Sequence, residues 1–200
     1  MVDLLDKPPL ADAREHLSIR VLNRNGVHLS ERPRQGLLRL QGDGEKIQYA
    51  VQAALSAGLP ARANSFTKNG GHGVIWLGPK RWLVRCPHSS VAVIRMGLAR
   101  SLEGIACQVV DASHQYVVLG LSGGRANELL KRCCSIDIDS PDFAAGSAVQ
   151  TLFGRIPVLL QYEAAGPEYS LYVDQSLARF TWDWLTTIIQ DNLYAGQEPL

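Results

Sequence analysis

Two hundred residues, 46% of them hydrophobic, are enough for one large domain or two small halves with a real core. Twenty basic against 19 acidic residues leave a net charge of +1, which excludes bulk electrostatic attraction to nucleic acid or a membrane surface. The longest apolar runs, Val117 to Leu121 and Ile156 to Leu160, are strand-sized and too short to span a bilayer. The acidic, interrupted opening Met1-Val2-Asp3-Leu4-Leu5-Asp6 does not read as a secretory leader, so a cytoplasmic location is expected.

Residues 1–15 are polar and carry Pro8-Pro9, which reads as an arm. His16 to Asn23 alternates weakly, as an edge or docking strand would, and Asn23-Arg24-Asn25-Gly26 is a turn. Leu37 to Leu40 reads as a strand, and Asp43 is the candidate N-cap of a helix with Ile47, Val51, Ala54 and Leu55 inward. Gly58 and Pro60 are expected to stop that helix. Asn64 to Phe66 is a possible short strand, followed by a turn at Asn69-Gly70-Gly71-His72-Gly73. Val74 to Leu77 and Arg81 to Arg85 form a hairpin around Gly78-Pro79, and a helix follows with Val91, Ile94, Leu98 and Leu102 inward.

The order then recurs. Tyr116 to Leu121 is a strand, and Ser122-Gly123-Gly124 opens a helix with Ala126, Leu129, Leu130 and Cys133 inward. After a loop from Ile136 to Ser147 come strands at Val149 to Phe153, Ile156 to Tyr162 and Tyr169 to Val173. The last helix starts near Ser176 with Leu177, Phe180, Trp184 and Ile188 on one stripe. Leu40-Gln41-Gly42 answers Leu121-Ser122-Gly123, and Trp82-Leu83-Val84 answers Leu171-Tyr172-Val173. The expected class is therefore α+β, with an arm at 1–35, a first α+β half at 36–108 and a second at 109–200, packed as one compact unit.

Asp111, Ser113 and His114 superficially suggest a hydrolase triad. In an extended strand Asp111 and Ser113 share a face and His114 takes the other, so the base cannot reach the nucleophile. No Gly-x-Ser-x-Gly elbow surrounds Ser113. The better reading is a hydrogen-bonded corner joining the halves, and no catalytic residue is assigned. Gly70-Gly71-His72-Gly73 lacks the ending of a phosphate loop, and Gly120-x-x-Gly123-Gly124 does not match the dinucleotide fingerprint. Cys86, Cys107, Cys133 and Cys134 form no Cys-x-x-Cys pair, and the five histidines are scattered, so no metal site is expected. Cofactor-binding residues stay unassigned.

Trp182-Asp183-Trp184 points two indoles to different sides of the last helix. One fits the core; the other needs a second apolar surface, unless both lie under the chain's own sheet. Trp182 and Trp184 are therefore the candidate subunit interface.

A set of blocks resembles the gamma subunit family of heterotetrameric sarcosine oxidases. They are Trp76-Leu77-Gly78-Pro79 with Trp82-Leu83-Val84, then Val109-Val110-Asp111-x-Ser113-His114-Gln115, then Leu121-Ser122-Gly123. Cys134-x-Ile136-Asp137, Phe143-x-x-Gly146, Thr151-Leu152 and Arg155-x-Pro157-Val158 continue the resemblance, and Leu171-Tyr172-Val173-x-x-Ser176-Leu177-Ala178 with Trp182-x-Trp184-Leu185 ends it. It implies a fold like the folate-binding aminomethyltransferases. It also implies a four-subunit flavoenzyme that demethylates sarcosine or a similar N-methyl amino acid and passes the one-carbon unit to tetrahydrofolate. The implied partners are alpha, beta and delta subunits, alpha in direct contact; FAD, FMN, NAD and tetrahydrofolate would sit on those other chains, and no catalytic residue carries over. A stand-alone folate-binding or aminomethyl-transferring protein is the alternative.

Overall fold

The computed structural model describes residues 26–164 and 166–191. The expected arm at 1–15 and the strand at His16 to Asn23 lie outside these residues, as does most of the turn that follows. In chain order the elements are β1 (His28–Glu31), β2 (Gln35–Gly42), α1 (Gly44–Leu55), β3 (Phe66–Asn69), β4 (His72–Gly78), β5 (Arg81–Pro87) and α2 (Val91–Ser101). Then come β6 (Cys107–Asp111), β7 (Tyr116–Ser122), α3 (Ala126–Cys133), β8 (Ala148–Phe153), β9 (Ile156–Ala164), β10 (Glu168–Asp174) and α4 (Ala178–Asp191). A single 3-10 turn leads into each of α2 and α4, at His88–Ser90 and Gln175–Leu177.

The chain divides into two compact units. Among the described residues, one comprises 34–115 with 146–150; the other comprises 26–33, 116–145 and 151–191 apart from 165. The first holds a sheet in the order β3-β4-β5-β2-β6. Antiparallel pairing sets Leu38 against Val84 and Leu40 against Trp82 and Val109. Alternate residues of these strands, Leu38, Leu40, Val74, Trp82 and Val84, turn to one face and meet Ile47, Val51 and Leu55 of α1 with Val91, Ile94 and Leu98 of α2. Asp43 stands at the N-cap of α1, but it acts through its carbonyl, which accepts from the backbone N–H of Lys46 and of Ile47 at 3.1 Å each; its side chain makes no capping bond. The helix stops earlier than Gly58 suggests. Ser56 adopts φ 53° and donates its N–H to the Gln52 carbonyl at 2.8 Å, a left-handed cap on a non-glycine residue.

The second sheet runs in the order β1-β7-β10-β9-β8 and belongs to the second unit except for residues 148–150 of β8. Its core includes Leu119, Leu121, Leu160, Leu171, Val173 and Trp182, each completely or almost completely buried. Phe143, Tyr162 and Tyr169 form a three-ring cluster with separations of 4.7 to 6.3 Å, and the Tyr169 hydroxyl donates to Asn127 Oδ1 at 2.7 Å. Arg32 donates to Glu168 at 2.9 Å in the same unit.

Written out, the two sheets have one topology. β3, β4, β5 and β2 correspond to β8, β9, β10 and β7, with α1 and α2 matching α3 and α4. The fifth strands are exchanged. β1 immediately precedes β2 in sequence but pairs with β7, His28 opposite Ser122 and Glu31 opposite Leu119. β6 immediately precedes β7 but pairs with β2, Leu38 opposite Asp111 and Gly42 opposite Cys107. The boundary drawn at 108/109 from sequence falls inside β6, and part of the expected arm, His28–Glu31, is a sheet strand. Local succession in a chain does not specify which sheet a strand closes, because pairing depends on edges distant in sequence.

Candidate functional site

The Asp111–Ser113 corner sits where β6 ends. Ser113 is buried; its Oγ donates to Asp111 Oδ1 at 2.6 Å, and its N–H donates to the same oxygen at 2.9 Å. The hydroxyl also accepts the buried N–H of Leu37 at 3.1 Å, while Ala112 N–H donates to the Leu37 carbonyl at 2.8 Å. Burial pushes the Asp111 carboxyl up, but the two bonds from Ser113 and the nearby His114 and Arg95 outweigh it and hold the group below its ordinary value. The serine proton is committed to the carboxylate. His114 instead faces His88, edge to face at 6.4 Å, so the arrangement needed for a nucleophilic serine is not built here. The corner is an anchor on β2. The same device recurs at the end of β10, where Ser176 Oγ and N–H reach Asp174 Oδ1 at 2.6 and 3.0 Å, a repetition that the sequence reading missed.

An open cleft of about 470 Å³ in the first unit is lined by Gln41, Gly42, Asp43, Lys46, Lys80, Ala106, Cys107 and Gln108. Gly42 faces Cys107 directly across the β2–β6 pair, where a Cβ would come within 2.9 Å of the cysteine's own Cβ. Lys80 is held in the left-handed region at φ 62°, its carbonyl accepting the N–H of Gly42 at 3.1 Å. The lining mixes polar and apolar surface in about equal parts and offers no aromatic wall on which a heterocycle could stack. The buried thiols elsewhere are poor nucleophiles. Burial, with the Asp111 charge, raises Cys86 to about 11, and burial raises Cys133 and Cys134 to about 12.

The two tryptophans of the last helix do not form an outward pair. Trp182 is completely enclosed. Trp184 is half-buried and meets Phe153 edge to face at 5.4 Å. The buried stripe of α4 is Ala178, Thr181, Trp182, Leu185, Thr186 and Ile189, one residue out of step with the expected Leu177, Phe180, Trp184 and Ile188, and Phe180 is 62% exposed. Both stripes are apolar enough to face a core; the chosen one hides two threonines, and Thr181 satisfies its hydroxyl on the Leu177 carbonyl at 2.8 Å. Large exposed apolar side chains lie instead at Tyr49 of α1 and at Val93 and Met96 of α2.

The doubled α+β arrangement is that of an aminomethyltransferase. The glycine cleavage system aminomethyltransferase T of Bartonella henselae superposes with a TM-score of 0.63 over 92% of this chain and 50% of that one, at 15% identity. The sarcosine oxidase, gamma subunit family matches residues 41–191, and the chain belongs to that family. It is 36% identical over 112 residues to the sarcosine oxidase subunit gamma of an Arthrobacter species, covering 56% of this chain and 54% of the relative. It is 29% identical over 137 residues to the same subunit of Corynebacterium sp. strain U-96, covering 68% and 65%. The chain thus spans between about half and two thirds of these curated relatives. A chain of the heterotetrameric sarcosine oxidase from Corynebacterium sp. U-96, solved in complex with pyrrole 2-carboxylate, superposes with a TM-score of 0.86 at 25% identity, covering 98% of this chain and all of that one.

Proposed function

We propose that the chain is a non-catalytic subunit of a heterotetrameric flavoenzyme that oxidatively demethylates sarcosine or a similar N-methyl amino acid and hands the one-carbon unit to tetrahydrofolate. The observation that carries the reading is the end-to-end likeness to one chain of a heterotetrameric sarcosine oxidase, joined to family membership over residues 41–191. The geometry agrees with a supporting role: the Asp111–Ser113 pair is spent on anchoring β2. On this reading FAD, FMN, NAD and tetrahydrofolate belong to the alpha, beta and delta subunits, with alpha in direct contact, and the complex works in the cytoplasm. Among the described residues no helix is long and apolar enough to cross a membrane. Co-expression with the neighbouring reading frames tests this. A tagged chain should bring down flavin-containing partners with sarcosine-dependent turnover; a chain recovered alone overturns the proposal.

The likeness to aminomethyltransferase T favours a second reading, a stand-alone folate-binding or aminomethyl-transferring protein. Calorimetry of the isolated chain with tetrahydrofolate separates the two. Saturable heat supports the second reading, and none at millimolar ligand removes it.

A further inference from the structure

The turn Asn69-Gly70-Gly71-His72-Gly73 serves neither functional reading. Asn69 and His72 are the last pair of the β3–β4 hairpin, so Gly70 and Gly71 form a two-residue loop. Asn69 and Gly70 are both exposed. Gly70 takes φ +56°, a Cβ on it would meet nothing within 4 Å, and its N–H donates to no other group among the described residues. β3 is four residues long and lies at the sheet edge, held by β4 alone, so opening its last pair costs little.

This is the setting in which an asparagine reacts with its own backbone. The Gly70 nitrogen, deprotonated by hydroxide, attacks Asn69 Cγ, and glycine has no side chain to crowd the approach. A C–N bond forms and the Cγ–Nδ2 bond breaks. Nδ2 leaves as ammonia with its third hydrogen taken from water, which regenerates the hydroxide. Water then opens the five-membered ring at either carbonyl, giving aspartate or isoaspartate; no oxidant or second substrate is needed. Asn69 Nδ2 also donates to the Ser56 carbonyl at 2.9 Å, an exposed hydrogen bond that slows ring closure only severalfold. Ser56 is the left-handed residue that ends α1, where the helix dipole is negative and the last turn holds no basic residue. An amide suits that place because it brings a donor. A carboxylate brings only acceptors and a full negative charge, so the product repels the carbonyl that its precursor held.

We propose that Asn69 is a site of spontaneous deamidation, and that the change unties the β3–β4 hairpin from the C-terminal end of α1. The proposal stands whether or not the chain is an oxidase subunit. Two other asparagines serve as internal controls. Asn64 is equally exposed but precedes Ser65, and Asn127 lies within α3 with its Oδ1 accepting the Tyr169 hydroxyl. The full chain is held without denaturant in mildly alkaline buffer and sampled over days by peptide mass spectrometry. The peptide holding Asn69 should gain one mass unit at least tenfold faster than those holding Asn64 and Asn127, and should resolve into aspartyl and isoaspartyl forms. Asn69→Gln, whose longer side chain closes a six-membered ring far more slowly, should abolish the gain. Equal rates at the three asparagines, or an aspartyl product alone, overturn the site. Asn69→Asp then stands in for one product. It should speed amide hydrogen exchange at residues 52–56, where α1 ends, at least threefold, while exchange in α2 stays the same. Unchanged exchange at residues 52–56, or an equal rise in α2, overturns the untying.

Discussion

Gly154 lies against the indole of Trp184 so closely that a Cβ on the glycine would stand 2.9 Å from the ring. Gly154 takes φ +60° as the first residue of the two-residue loop between β8 and β9, the position that a type II′ hairpin reserves for glycine. Its N–H donates to the Cys133 carbonyl at 2.7 Å, so the turn also closes the end of α3. Gly154→Ala adds left-handed strain of about 1–2 kcal/mol and displaces an indole already fitted against Phe153. The expected loss is about 2–3 kcal/mol by urea unfolding, with a shift in tryptophan emission. An unchanged midpoint would refute this close fit.

At the Asp111 corner the expected pH dependence follows from a lowered carboxyl value. The folded state binds its proton less tightly than the unfolded state, so the contribution is full above the ordinary value near 4 and is lost as pH falls through the lower folded value. Asp111→Asn, which keeps an oxygen to accept from Ser113, should be less stable than the unmutated chain at pH 7, with the gap narrowing below about pH 4. Unfolding midpoints measured from pH 7 to 2.5 check this; a gap that widens toward acid would contradict it. Ser113→Ala is expected to cost about 1–3 kcal/mol by orphaning the buried Leu37 N–H, read by urea unfolding of the isolated chain.

The thiols should sort by environment. With Cys86 raised to about 11, and Cys133 and Cys134 to about 12, almost no thiolate exists at these sites at pH 8. Iodoacetamide on the native chain should label Cys107 in the Lys46–Lys80 cleft first, and all four cysteines only after denaturation. Peptide mass spectrometry reads the order, and early labelling of Cys86 would count against the buried geometry.

Helix α4 offers a direct test of its register. Trp182→Ala empties a site that is completely enclosed and should cost about 3–5 kcal/mol. Phe180→Ser removes a side chain that is 62% exposed and should change stability by no more than about 0.5 kcal/mol. Reversed magnitudes would restore the stripe through Phe180 and Trp184.

These elements show what was legible in the sequence. The periodicity of Ile47, Val51 and Leu55, and of Val91, Ile94 and Leu98, located two helices and their inward faces, because one stripe in each was clearly the more apolar. In α4 two neighbouring stripes are both apolar, and the buried one includes Thr181 and Thr186; Thr181 offsets its burial by bonding the Leu177 carbonyl, so its polarity misled the reading by one residue. A hydrogen-bonded corner at Asp111 and Ser113 was legible from their residue types, but the strand alternation used to reach it does not hold, since β6 ends at Asp111 and a turn brings the serine back onto the carboxylate. The exposed pair Val93 and Met96 could have been found with the same two-stripe reasoning applied to Trp182 and Trp184. The exchange of β1 and β6 was not readable, since neither strand's residues name the edge that each completes.

That exchange has a counterpart among oligomers. Each repeat, β1 through α2 or β6 through α4, donates its first strand and receives its neighbour's in return. Two copies trading an identical element is the arrangement of a domain-swapped homodimer, and here a connection from α2 into β6 ties the two protomers into one polypeptide. In topology the chain is a pair of repeats with exchanged first strands. One repeat expressed alone would leave the edge of its β2 or β7 uncovered, and is expected to pair with a second copy of itself or to aggregate through that edge.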